Sequence, residues 1–187
     1  MNFQEFMPPT LITRDRAAIE AFREEHGEIV MKPLYGAGGA GVFKVGRVDP
    51  NFGSLYDMFT TMFREPWVCQ KFLPRVSERN KPIILIDGEA LRAVNRVPAA
   101  NDIRSNMVRG GAAAQTELTP REREICAKLG PELKKMGLIF VGIDVIDGHL
   151  TEINVTSPTG VRAIKRLGGP DLAVAIWDAI ERRRGGR

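Results

Sequence analysis

Gly137-Leu138-Ile139-Phe140-Val141-Gly142-Ile143-Asp144-Val145-Ile146-Asp147-Gly148-His149-Leu150-Thr151-Glu152-Ile153-Asn154 sets the architecture of this chain. Apolar and β-branched residues fill Leu138 to Ile146, Asp147-Gly148 interrupts them, and Leu150 to Val155 resumes the run, so the stretch predicts an antiparallel strand pair. Side chains alternate faces along a strand, which puts Glu152 beside Asn154, and a three-residue turn sets Asp144 opposite Glu152. Two carboxylates and an amide oxygen then converge, with His149 in the turn and outside the set. Hard oxygen donors suit Mg²⁺ rather than zinc. An exposed hairpin with a wet polar face fits the same letters, and one residue of turn length separates the two readings.

Strand and helix patterns alternate outward from this hairpin, which gives an α+β class. Arg16 to His26 predicts a helix closed by Gly27, Ile29–Lys32 and Gly41–Val45 a hairpin, Phe52 to Phe63 a helix, and Trp67 to Leu73 a buried strand. Pro74 to Asn80 is the expected boundary between a small lobe, residues 1–75, and a large lobe, residues 76–187. Pro82–Ile86 and Ala90–Val97 pair across Asp87-Gly88, and Pro98 to Gln115 reads as an irregular lid loop. Thr119-Pro120 opens a helix through Ile125, Leu129 and Leu133, and Asp171 to Arg184 closes the chain as another. Met58, Phe59 and Phe63 suit either a core or a homo-oligomer interface.

At 187 residues and 43% hydrophobic content the chain can bury a core without staples. Its two cysteines, Cys69 and Cys126, lack metal or redox spacing, so a reducing, cytoplasmic setting is expected. No apolar run reaches the roughly 18 residues of a membrane span, and Met1 to Pro9 lacks a signal peptide's basic start. The net charge of +4 comes from bases interleaved with 23 acids, and Arg182-Arg183-Arg184 complements a helix C-terminus. Neither a nucleic-acid partner nor a membrane is expected; anionic small molecules are.

Gly36-Ala37-Gly38-Gly39-Ala40-Gly41 matches a dinucleotide fingerprint but opens a strand instead of a helix. Its bare N–H groups could close over phosphates, and a tight hairpin explains it equally well. Lys32 sits in an otherwise apolar strand, where an anionic partner is expected unless the ammonium reaches solvent. Trp67 to Leu73 is either core or a main-chain contact for an adenine. Arg96, Arg104 and Arg109, with Asn106, bring forked donors for carboxylate or phosphoryl oxygens, although solvated arginines are the commoner case.

Taken together, Lys32-Pro33, Gly36 to Gly41, Arg96-Val97-Pro98, Arg104-Ser105-Asn106, Gly137 to Asp144 and Thr151 to Pro158 resemble bacterial glutathione synthetase along nearly the whole chain. The resemblance implies an ATP-grasp fold, two α+β lobes with ATP and magnesium between them, manganese being the alternative ion. It implies the joining of γ-glutamylcysteine to glycine with ATP cleaved. It assigns Lys32, Gly36, Gly38, Gly39 and Gly41 to the phosphates, Gln70, Lys71, Phe72 and Leu73 to the adenine, and Asp144, Glu152 and Asn154 to the metal. Arg96 and Arg104 would carry catalysis and bind substrate carboxylates, with Asn154, Ser157 and Thr159 against the peptide. The family pattern of acid, Lys, Arg reads Asn80-Lys81-Pro82 here; Asn80 keeps hydrogen bonding toward the nucleotide, while Pro82 offers no anchor. The family also has a further N-terminal domain with another phosphate-binding lysine, and this sequence begins beyond it. A module that binds ATP and magnesium with lost or altered ligation is the alternative.

Overall fold

The computed structural model describes residues 3–36, 39–97, 112–156, 158–166 and 168–185. Among the described residues two compact units form, one of Pro8–Pro74 and one of Met1–Met7 with Arg75–Arg187.

The smaller unit runs β1 (Thr10–Thr13), α1 (Arg16–His26), β2 (Ile29–Pro33), β3 (Phe43–Val45), α2 (Phe52–Met62) and β4 (Trp67–Lys71). Its antiparallel sheet has the order β1-β4-β2-β3. Asp15 starts α1 by accepting the Ala17 N–H at 3.0 Å, and Gly27, with φ of 77°, ends it. One sheet face buries Ile29, Met31, Val45, Trp67 and Cys69 against Ile19 of α1 and Phe52 and Phe59 of α2. Tyr56 and Phe59 each meet the Trp67 ring edge-on at 5.2 Å, so Phe59 belongs to the core. Met58 on the same helix is partly exposed. The four-residue β1, shadowed by Pro8-Pro9, was not legible as a strand.

The larger unit holds β5 (Asn80–Ile86), β6 (Glu89–Val97), β7 (Ala112–Thr116), α3 (Pro120–Lys135), β8 (Phe140–Ile146), β9 (His149–Asn154), α4 (Val161–Arg166) and α5 (Leu172–Gly185). The sheet order is β7-β6-β5-β8-β9, antiparallel throughout. α3 opens on a reciprocal cap: Thr119 Oγ1 accepts the Glu122 N–H, and Glu122 Oε2 accepts the Thr119 N–H at 2.7 Å. Its apolar stripe, Ile125, Cys126, Leu129 and Leu133, packs on Ile83, Leu85, Val141, Ile143, Val145 and Leu150 from one sheet face, with Phe6 joining them. On the opposite face Ile84 and Ile86 are covered by Ile164 of α4 and by Leu172 and Ala179 of α5.

One expectation needs correction. Ala112 to Gln115 are not irregular: they pair with β6 in register from Val97↔Ala112 to Ala93↔Thr116. Consecutive alanines show no alternation of polarity, so the strand is made by main-chain pairing that the letters do not announce. The remainder of the expected lid, Pro98 to Gly111, lies outside the described residues.

Candidate functional site

The final hairpin reaches the expected juxtaposition by a different route. Asp147 (φ 45°) and Gly148 (φ 77°) form a two-residue turn, not three, and Ile146 pairs directly with His149. Continued regularly, that pairing would set Thr151 opposite Asp144 and turn Glu152 toward α3. Instead β9 spends one extra residue at Thr151, and the register steps from Val145↔Leu150 to Asp144↔Glu152 and Gly142↔Asn154. His149 is therefore the first residue of β9 and not part of the turn; its Nδ1 lies 3.1 Å from the Asp147 carbonyl.

Asp144, Glu152 and Asn154 consequently share a sheet face, and directly opposed residues hold their Cβ atoms about 5 Å apart. Asp144 and Asn154 are half-buried and Glu152 is exposed, so the group borders solvent. It lies along the same face as the Ile84–Ile86 patch, at the end of the strands away from the α4 and α5 residues that cover that patch. Two carboxylates and an amide oxygen side by side fit a hard divalent cation. Among the described residues no group of three or more His, Cys, Asp or Glu side chains is placed for a metal.

The neighbouring strand contributes Asn80 and Pro82. Asn80, 7% exposed, pairs with Ile146 on one side and Arg96 on the other, while Pro82 pairs with Asp144. Lys81 faces the opposite way and is committed elsewhere: its Nζ donates to Glu122 Oε2 at 3.1 Å and to the Glu117 carbonyl at 3.0 Å. Beyond β9 the chain returns over the sheet. A Cβ on Gly142 would stand 2.9 Å from the Pro158 Cβ, so the absent side chain admits the segment that follows Asn154. Thr159, one residue on, is exposed. Arg96 is placed by backbone pairing alone, with Asn80 and Ala113. Gly38, Arg104, Asn106, Arg109 and Ser157 lie outside the described residues.

In the smaller unit the sheet face turned from the helices carries Lys32, Lys44, Gln70 and Thr10, because Val30 pairs with both Lys44 and Gln70, Lys32 with Val68, and Thr10 with Gln70. Lys32 is half-buried. Gln70 is buried and donates from Nε2 to Thr10 Oγ1 at 3.1 Å. Lys44 Nζ sits 2.7 Å from Glu28 and 4.2 Å from the centre of the Phe72 ring, so its charge is already partnered. Lys71 is exposed; the Phe72 N–H donates to the Glu28 carbonyl at 2.9 Å, and Leu73 follows outside the strand. Gly36 precedes the turn, while Gly39 and Gly41 within it have φ of 74° and 72°.

Sequence reading missed Thr151, whose signal was a residue count: after an Asp-Gly turn an even alternation brings Glu152 to the wrong face. It also missed the Gly142–Pro158 approach, which has no local signature.

The family described as the prokaryotic glutathione synthetase ATP-grasp domain matches residues 1–169. Glutathione synthetase of Rhodopseudomonas palustris is 70% identical over 184 residues, 98% of this chain and 59% of that protein. The Bradyrhizobium diazoefficiens glutathione synthetase is 67% identical with the same coverage, and the Synechocystis one 48% identical over 98% of this chain and 57% of its own length. The chain thus spans about three fifths of the curated relatives it matches. Among solved structures, D-cycloserine synthetase DcsG superposes with a TM-score of 0.71 at 16% identity, covering 95% of this chain and 65% of that one. ATP-grasp ligase PsnB, solved with minimal precursor, Mg and ADP, gives 0.66 at 20% identity over 94% of this chain and 52% of its own. These likenesses establish an ATP-grasp fold of the α+β class. On its sequence and its fold, the chain belongs to the prokaryotic glutathione synthetase ATP-grasp family.

Proposed function

We propose that this chain is the nucleotide-binding and ligation core of an ATP- and magnesium-dependent carboxylate–amine ligase of the glutathione synthetase type. The observation that carries the reading is the bulged hairpin that faces Asp144, Glu152 and Asn154 together in a member of that family. Those three residues would hold magnesium, or manganese in its place; when bound, the ion neutralises the nucleotide's terminal phosphates. Lys32 and the N–H groups of Gly36, Gly38, Gly39 and Gly41 would grip the same phosphates, with Gln70, Lys71, Phe72 and Leu73 against the adenine and Asn80 toward the nucleotide.

In the reaction a carboxylate oxygen of a γ-glutamylcysteine-like substrate attacks the γ-phosphorus and ADP leaves. A glycine-like amine then attacks the acyl carbon, loses a proton and expels inorganic phosphate. Arg96 and Arg104 would neutralise the transferred phosphoryl group and a substrate carboxylate, and Asn154, Ser157 and Thr159 would orient the peptide. Little covalent work falls to protein groups, so positioning and charge carry the rate. Thiol chemistry has no place in it: Cys69 and Cys126 are buried, with burial pushing their pKa up to about 12 and about 11, the Glu122 charge adding to the latter. We place the reaction in the cytoplasm; among the described residues no helix is long and apolar enough to cross a membrane.

The test is ADP release with and without γ-glutamylcysteine plus glycine, run beside Asp144→Asn. The reading expects acceptor-dependent ADP that falls at least about a hundredfold in the variant. ATP binding without acceptor-dependent turnover would reduce the chain to a nucleotide-binding module.

A further inference from the structure

The two central hairpins of the larger unit are built alike. Ile86-Asp87-Gly88 and Ile146-Asp147-Gly148 both turn in two residues with positive φ, at 50° and 81° in the first and 45° and 77° in the second. In both, the third residue of the returning strand is the extra one: Leu91 between Leu85↔Ala90 and Ile84↔Arg92, and Thr151 between Val145↔Leu150 and Asp144↔Glu152. The bulge at Leu91 forms with a side chain that can donate no hydrogen bond, so the bulge itself belongs to the backbone design. What distinguishes the second hairpin is a bond across it: Thr151 Oγ1 donates to the Asp144 carbonyl at 3.0 Å. The extra residue is thereby tied to the one residue of β8 that faces Glu152.

We infer that Thr151 is a positioning residue, whose hydroxyl fixes the Asp144 main chain so that the Asp144 and Glu152 carboxylates stay aimed at one ion. The inference rests on the cation role proposed above for those carboxylates. A bulge leaves the local ladder interrupted, so the strand is free to twist there unless another bond replaces what is missing. Thr151 supplies that bond, and does so at the residue where a change of aim would cost the most.

The experiment titrates Mn²⁺ into the 187-residue chain in the presence of ADP, with bound ion read by electron paramagnetic resonance, for the wild type, Thr151→Val, Thr151→Ala, Thr151→Ser and Asp144→Asn. Loss of the hydroxyl should weaken Mn²⁺ binding about tenfold in both Val and Ala variants, the scale found for partners that orient a metal's ligands. Thr151→Ser should stay within about twofold of the wild type, with thermal midpoints of all Thr151 variants within about 5 °C. Wild-type affinity in Thr151→Val and Thr151→Ala overturns the inference, as does equal weakening in Thr151→Ser, which would assign the effect to packing. Should Asp144→Asn bind Mn²⁺ as the wild type does, the cation reading itself fails and takes the Thr151 role with it. Loss in Asp144→Asn alone leaves the cation reading standing and removes only Thr151.

Discussion

Asp87 shows how much of this fold rests on single charged contacts. It occupies the first of the two positive-φ positions of the β5–β6 turn and receives Arg183 Nε at 3.0 Å, with Lys134 3.4 Å away. Burial pushes its carboxyl up, but the hydrogen bonds and charges of Arg183 and Lys134 outweigh that and hold it below the usual carboxylate range. A depressed folded pKa means stability that is present above the unfolded value of about 4 and is lost as the pH falls through the folded one. Asp87→Asn should therefore cost about 1 to 3 kcal/mol in urea unfolding at pH 7, and the gap from wild type should close as the pH drops below about 4. A gap that keeps its full pH 7 size however far the pH is lowered would assign the loss to shape and not charge. The sequence showed Asp87-Gly88 as a turn, yet Arg183 stands 96 residues away, and a contact at that separation leaves no mark in local spacing. Glu122 is similar: Thr119-Pro120 announced the cap, but not that the same carboxylate would bury the Lys81 ammonium.

Elements were legible where local chemistry and burial agreed. Gly27 and Thr119 fixed helix ends, and apolar spacing fixed α1, α2 and α3, because caps and stripes are written within a few neighbouring residues. β7 and β1 escaped, the former for want of contrast among its alanines and the latter for its length. The Asp144–Glu152 juxtaposition was legible from alternation, but its cause was not, since a two-residue turn with a bulge and a three-residue turn give the same register. Helix packing yields a direct test. A Cβ on Gly130 of α3 would stand 2.1 Å from the Gly88 carbonyl oxygen, whereas one on Gly53 of α2 meets nothing within 4 Å. Gly130→Ala should lose about 3 kcal/mol or more through displaced backbone, while Gly53→Ala should gain up to about 0.5 kcal/mol from helix propensity. Chemical denaturation of the pair measures both; similar effects at the two sites would contradict the close approach of α3 to the β5–β6 turn.

For the molecule as a whole, family and fold class were accessible early because restrictive motifs run the length of the chain, and the match to residues 1–169 accords with that. The roles given to Arg104, Ser157 and Gly38 rest on resemblance, as these positions lie outside the described residues. Bases such as Arg16, Lys81, Arg121 and Lys165 find acids within 3.1 Å. Everything functional converges on whether β8 and β9 present a cation site. The direct measurement is anomalous diffraction from crystals of the chain grown with ADP and Mn²⁺. The account predicts a manganese peak about 2.2 Å from oxygens of Asp144, Glu152 and Asn154, touching nucleotide phosphate. ADP bound with manganese elsewhere, or with those three side chains turned from the ion, would contradict it.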